Sequence, residues 1–140
     1  MNETPYKLID HTADIGIEVA ANSMEDLFRN AAYGFLDILT DAKQVNPQEI
    51  EWIHLTAGNY DELLIRWLAE LLYRYDTEQK LFSRCEFIEL DEKHLKVKVN
   101  GELFDPLRHF IKHEIKAVTY HGVHIQKQDH SFHVKVIFDI

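Results

Sequence analysis

Phe132-His133-Val134-Lys135-Val136-Ile137-Phe138-Asp139-Ile140 is the stretch that decides the fold class. Phe132, Val134, Val136 and Phe138 alternate with His133, Lys135 and Ile137, so an extended strand here has one dry face and one wet face. The same period of two recurs at Leu95, Val97 and Val99, separated by Lys96 and Lys98, and at Val123 and Ile125, separated by His124. Residues 6–9, 15–20, 50–56 and 82–90 also read as strands. One-sided strands belong to antiparallel sheet that helices cover on a single face.

Two segments change to the helical period. Ser23 followed by Asp26 predicts a helix start in which hydroxyl and carboxylate each take an orphan backbone N–H. Leu27, Phe28, Ala31, Ala32, Phe35, Leu36 and Leu39 then form one apolar stripe, which Thr40-Asp41 ends. A second helix starts near Asn59, with Glu62 three residues on. It carries Leu63, Leu64, Trp67, Leu68, Leu71, Leu72 and Tyr75 on its buried side. The expected architecture is α+β, two helices packed on mostly antiparallel β-sheet, as one domain over 1–140.

Composition narrows the function classes. The net charge of −9 speaks against this chain gripping nucleic acid by itself, because phosphate contacts need clustered Lys and Arg. It suits a basic partner or a bound cation. The single cysteine, Cys85, excludes an internal disulfide and any multi-cysteine zinc site; its apolar-flanked strand predicts a buried, inert thiol. No apolar run approaches the roughly 20 residues a membrane helix needs, and the start of the chain has no signal segment, so a cytoplasmic protein is expected.

The candidate chemistry lies at the two ends of the sequence. In Tyr6-Lys7-Leu8-Ile9-Asp10-His11-Thr12-Ala13-Asp14-Ile15-Gly16-Ile17, two acids and a histidine fall between two apolar runs. Asp10 reads equally as a turn former whose side chain bonds its own backbone. Asp14, at the edge of the second run, is costly there unless it meets water, backbone donors or a cation. Asp139 follows Phe138 and so takes the parity of Lys135 and Ile137. If the last strand lies near the first, Asp14, Asp139 and the terminal carboxylate of Ile140 converge. They would then raise one another's pKa unless a cation neutralised them. Oxygen ligands alone select Ca²⁺, Mg²⁺ or Mn²⁺. Most of the nine histidines read as surface residues; His109 and His113 stand four apart without the glutamate of a zinc-protease helix. There is no nucleophile elbow and no phosphate-cradling glycine loop. Segment 101–113 reads as irregular.

Several stretches together resemble the archease family, in order and over nearly the whole chain. They are residues 7–17 with Asp10-His11-Thr12-Ala13-Asp14, the helix 23–41, residues 61–76, Glu114-Ile115-Lys116-Ala117-Val118-Thr119-Tyr120-His121 and the closing Asp139-Ile140. The resemblance implies a non-catalytic protein cofactor of an RtcB-type RNA ligase of tRNA splicing and RNA repair, helping it to become guanylylated and turn over. It implies metal ligands at Asp14, Asp139 and Ile140, the last through its terminal carboxylate, with Ca²⁺ first and Mg²⁺ or Mn²⁺ as alternatives. It places Asp10, His11, Lys116, Thr119, Tyr120 and His121 at the partner surface or around the ligands. Read without the resemblance, Ala117 and Val118 are core, Tyr120 is a packed aromatic and Lys116 is solvated. Two other functions compete: a small metal-dependent hydrolase using Asp14 and His11, and an interaction module whose cation is structural.

Overall fold

The computed structural model describes residues 5–10 and 14–140, with Asp10 described by its backbone alone. The elements are β1 (Tyr6–Asp10), β2 (Asp14–Ala21), α1 (Met24–Leu39), β3 (Glu49–Thr56), α2 (Tyr60–Glu78), β4 (Lys80–Leu90), β5 (His94–Leu103), β6 (Ala117–Val118), β7 (Gln126–Gln128) and β8 (Ser131–Asp139). A five-stranded antiparallel sheet has the order β1-β2-β8-β6, with β7 also pairing to β8; β3-β5-β4 form a second antiparallel sheet. Both helices touch both sheets, and one core cluster joins all of them. The α+β expectation of two helices on antiparallel sheet describes this architecture.

Local chemistry sets the helix ends. The Ser23 hydroxyl accepts from the Asp26 amide at 3.1 Å, as the cap pattern requires. The expected reciprocal bond is not made. The Asp26 carboxylate takes the Arg29 guanidinium at 2.5 Å, an opposite charge one turn away. At α2, Asn59 Oδ1 accepts from the Glu62 amide at 2.9 Å, while Glu62 reaches back to the Gly58 amide at 3.4 Å. Trp67 is fully buried, and its indole N–H donates to the Phe28 carbonyl at 3.0 Å, so the polar handle is satisfied. Phe87 meets both Phe28 and Trp67 edge-on, tying the second sheet to the helices. Cys85 is half-buried, short of the full burial its flanks predicted, and desolvation pushes its thiol up to about 11, which disfavours the thiolate. Among the described residues no helix is long and apolar enough to cross a membrane.

One expectation is corrected. The alternation at Val123 and Ile125 does not form a strand; β7 begins at Gln126. Gly122 at φ +66° turns the chain, the Val123 amide bonds back to the Tyr120 carbonyl, and the Ile125 amide donates to Asp61 Oδ1 instead of to a ladder. Among the described histidines His109 is the buried one, 3% exposed. Its Nδ1 accepts the Asp105 amide proton at 2.8 Å, so the ring hydrogen sits on Nε2. Nε2 in turn stands 3.0 Å from Glu102 Oε2 and 3.1 Å from the Gln44 carbonyl. Glu102, also buried, further accepts from the Asn46 amide at 2.7 Å and from Arg108 at 2.5 Å.

This network fixes an acid limb for stability. Burial alone would raise the Glu102 pKa, but the bonds from Arg108, the Asn46 amide and His109 outweigh it and hold the carboxyl below its usual range. A carboxylate depressed on folding contributes stability that is complete above its unfolded pKa and is lost as pH falls through the folded value. Glu102→Gln should therefore lower stability by about 1–3 kcal/mol at neutral pH, and its thermal midpoint should fall less between pH 7 and pH 3 than the wild type's. Thermal melts across that range check this; parallel acid limbs for the two proteins would remove Glu102 as the cause.

Candidate metal centre

The register of the central strands brings the two ends of the sequence together. In the β2–β8 pair Asp14 lies opposite Asp139 and Ile15 opposite Phe138. Ile15 and Phe138 are buried beneath the sheet, so the two aspartates emerge together on its outer face. Directly opposed residues place their Cβ atoms about 4.5–5.5 Å apart, close enough for two carboxylates to meet at one ion whose oxygen ligands lie about 2.3–2.6 Å away. On the other side of β8, Ala117 of β6 lies opposite Asp139, and the Lys116 amide donates to the Asp139 carbonyl at 2.7 Å. The end of β8 is therefore held between two strands, and Ile140 packs its side chain on the core. A frayed tail is not what this geometry describes.

Asp14, Asp139, Thr119, His121 and Ile137 line one hollow of about 360 Å³. The Thr119 amide bonds the Ile137 carbonyl at 3.0 Å, which extends the β6 side of the sheet by a residue. Thr119 Oγ1 is buried and has no hydrogen-bond partner among the described residues. An orphan buried hydroxyl beside two facing carboxylates is an oxygen donor set, and such a set fits a hard divalent cation. It does not resemble a zinc site, and no group of three or more His, Cys, Asp or Glu stands together among the described residues. Gly16 leaves room for Ile137 on this face, because a Cβ there would approach Ile137 Cδ1 to 2.7 Å. Farther along the same face, Lys135 stands 4.0 Å from Glu18.

The other sequence candidates divide. Thr119 and His121 join the carboxylates. Lys116 is exposed, and only its backbone is tied to the site. Tyr120, expected to pack, is 65% exposed and instead borders a neighbouring hollow with Asn59, Asp61, Glu62, Ile65 and Val123. Val118 is core as expected; Ala117 is exposed, because it shares the outer face with Asp139. The Asp10 side chain and His11 lie outside the described residues. Ile137 was not anticipated at the site, although its parity with Asp139 carried the signal.

Known proteins place this fold in a family. The Archease protein family (MTH1598/TM1083) matches residues 6–140. A protein named archease from Methanopyrus kandleri is 37% identical over 97% of this chain and 99% of its own length. One of the same name from Sulfurisphaera tokodaii is 34% identical over 96% and 98%. The solution structure of protein 1598 from Methanobacterium thermoautotrophicum superposes with a TM-score of 0.82 at 31% identity, covering 99% of this chain and all of that one. The crystal structure of an archease from Thermotoga maritima, described as a possible chaperone, shares the fold with a TM-score of 0.65 at 22% identity over 96% of each chain. Matched along almost its entire length, this chain belongs to the archease family.

Proposed function

We propose that this protein activates an RtcB-type RNA ligase of tRNA splicing and RNA repair, promoting guanylylation of the ligase and its repeated turnover without catalysing ligation itself. The observation that carries the reading is the register Asp14 opposite Asp139, which joins the two motifs behind the family resemblance at one point on the surface. Asp14, Asp139 and the terminal carboxylate of Ile140 would hold a divalent cation, Ca²⁺ foremost, with Mg²⁺ or Mn²⁺ as alternatives. The orphan Thr119 hydroxyl offers a further oxygen. When bound, the cation supplies concentrated positive charge able to neutralise phosphate or carboxylate oxygens. The chain's own contribution is placement. β2 and β6 clamp β8 from both sides, so the carboxylates are carried on an end of the sheet that is held on both flanks.

The net charge of −9 favours approach to a basic active-site mouth and disfavours RNA as a direct ligand. Reconstitution tests the reading. Multiple-turnover ligation and the guanylylated fraction of a purified RtcB-type ligase should both rise when this protein is added with divalent cation. No rise at equimolar protein would overturn it. Robust turnover of RNA or nucleotide by this protein alone, lost in Asp14→Ala, would establish the hydrolase reading in its place.

A further inference from the structure

Between β5 and β6 the chain runs through residues 104–116 without regular secondary structure, and it exposes two large apolar side chains there. Leu107 is 92% exposed and Phe110 is 78% exposed. The backbone that carries them is held on all sides. A turn closes from the Arg108 and His109 amides to the Asp105 carbonyl at 3.0 and 2.7 Å, and the Leu107 amide bonds Asp105 Oδ1 at 2.9 Å. The buried His109–Glu102 pair anchors the turn from beneath. Past it, the Thr40 hydroxyl donates to the Phe110 carbonyl at 2.7 Å, and the Lys112 amide donates to the Leu39 carbonyl at 2.8 Å. Leu107 and Phe110 are therefore presented by a preorganised backbone, which lowers the ordering cost of binding.

We infer that residues 104–116 are a docking arm that seats Leu107 and Phe110 in apolar sockets of a basic partner protein. The arm's charge pattern selects the partner. Arg108 is matched by Glu102 and Asp105, and Lys112 by Asp37. Around them Asp41, Asp76 and Glu114 have no cationic partner among the described residues, and Glu114 stands close enough to Asp76 to add to the burial that raises its pKa. The arm leads straight into the carboxylate site. Lys116, whose amide bonds the Asp139 carbonyl, lies six positions beyond Phe110, a reach of at most about 22 Å. Asp41, Asp76 and Glu114 thus outweigh the unmatched Lys43 and Lys116. A second copy would bring two such acidic rims together, and an anionic membrane would repel them.

The inference rests on the ligase reading for the partner used in its test. Affinity for a purified RtcB-type ligase should fall roughly 30-fold or more in Leu107→Ser/Phe110→Ser, the loss of a central apolar anchor. The thermal midpoint should stay at the wild-type value, since both side chains are in water. Wild-type affinity in the double variant would overturn the docking arm and leave the ligase reading standing. A wild-type protein that does not bind the ligase would overturn the ligase reading and this partner together. A wild-type dimer in light scattering that the double variant dissolves would also overturn the proposal, by showing that a second copy covers the arm.

Discussion

Asp14→Ala and Asp139→Ala are expected to abolish ligase activation while leaving the fold intact. Loss of even an outer partner costs a metal site about 10- to 100-fold, so loss of a ligand should cost at least that in multiple-turnover ligation. The stability effect runs the other way. Two like charges directly opposite on neighbouring strands destabilise a metal-free sheet, so removing one should hold or slightly raise the thermal midpoint in chelator. The divalent cation should raise the wild-type midpoint through linkage, by about 2.7 kcal/mol at a hundredfold excess over Kd. Neither variant should respond. Extension of the chain beyond Ile140 should behave like the substitutions, because it removes the terminal carboxylate. Melts with and without Ca²⁺, run beside ligation, separate the alternatives. Variants that unfold far below wild type in chelator would make the carboxylates structural, and variants that still activate would move the working site elsewhere.

The largest loss of stability is expected at Gly101. A Cβ there would lie 1.8 Å from the Leu81 carbonyl oxygen and 2.7 Å from Phe82 Cα, both backbone atoms that cannot swing away. Gly101 pairs with Phe82 in β4 and with Glu49 in β3, beside an irregularity between Phe82 and Arg84. It therefore sits where three strands crowd a bulge. Gly101→Ala should cost more than about 4 kcal/mol, in the range kept for a named structural clash, and should abolish soluble folding or shift the urea midpoint drastically. Gly58→Ala is the matched control: its Cβ would meet only the Glu62 carboxylate, the far end of a flexible side chain, at 3.3 Å. That change should stay within about 0.5 kcal/mol. Equal urea midpoints for the two variants would refute the packing argument.

The periodic segments were legible because periodicity is local. Leu27 through Leu39 and Leu63 through Leu72 face the core as their spacing demanded, and the wet and dry faces of β8 follow its alternation. The same alternation misled at Val123 and Ile125. Gly122 and the Asp61 side chain captured the backbone there before a ladder could, and a helix residue 64 positions away is invisible to a local pattern. The burial of His109 was not legible for a related reason. Its burial is tolerable only because Glu102, Gln44 and the Asp105 amide satisfy both ring nitrogens, and those partners come together only in the folded chain.

By itself the sequence determined the helix faces and their caps, the dry face of the last strand, and the acids at its two ends that a cation would require. Those properties depend on neighbours within a turn or a strand. Only the tertiary structure decided that Asp14 and Asp139 stand opposite each other on the outer face, that Thr119 and His121 join them while Tyr120 does not, and that Leu107 and Phe110 remain in water on a pinned backbone. The Asp14–Asp139 register joins residues 125 apart and the Thr40–Phe110 anchor joins residues 70 apart, and no spacing along the chain encodes which of those partners will meet.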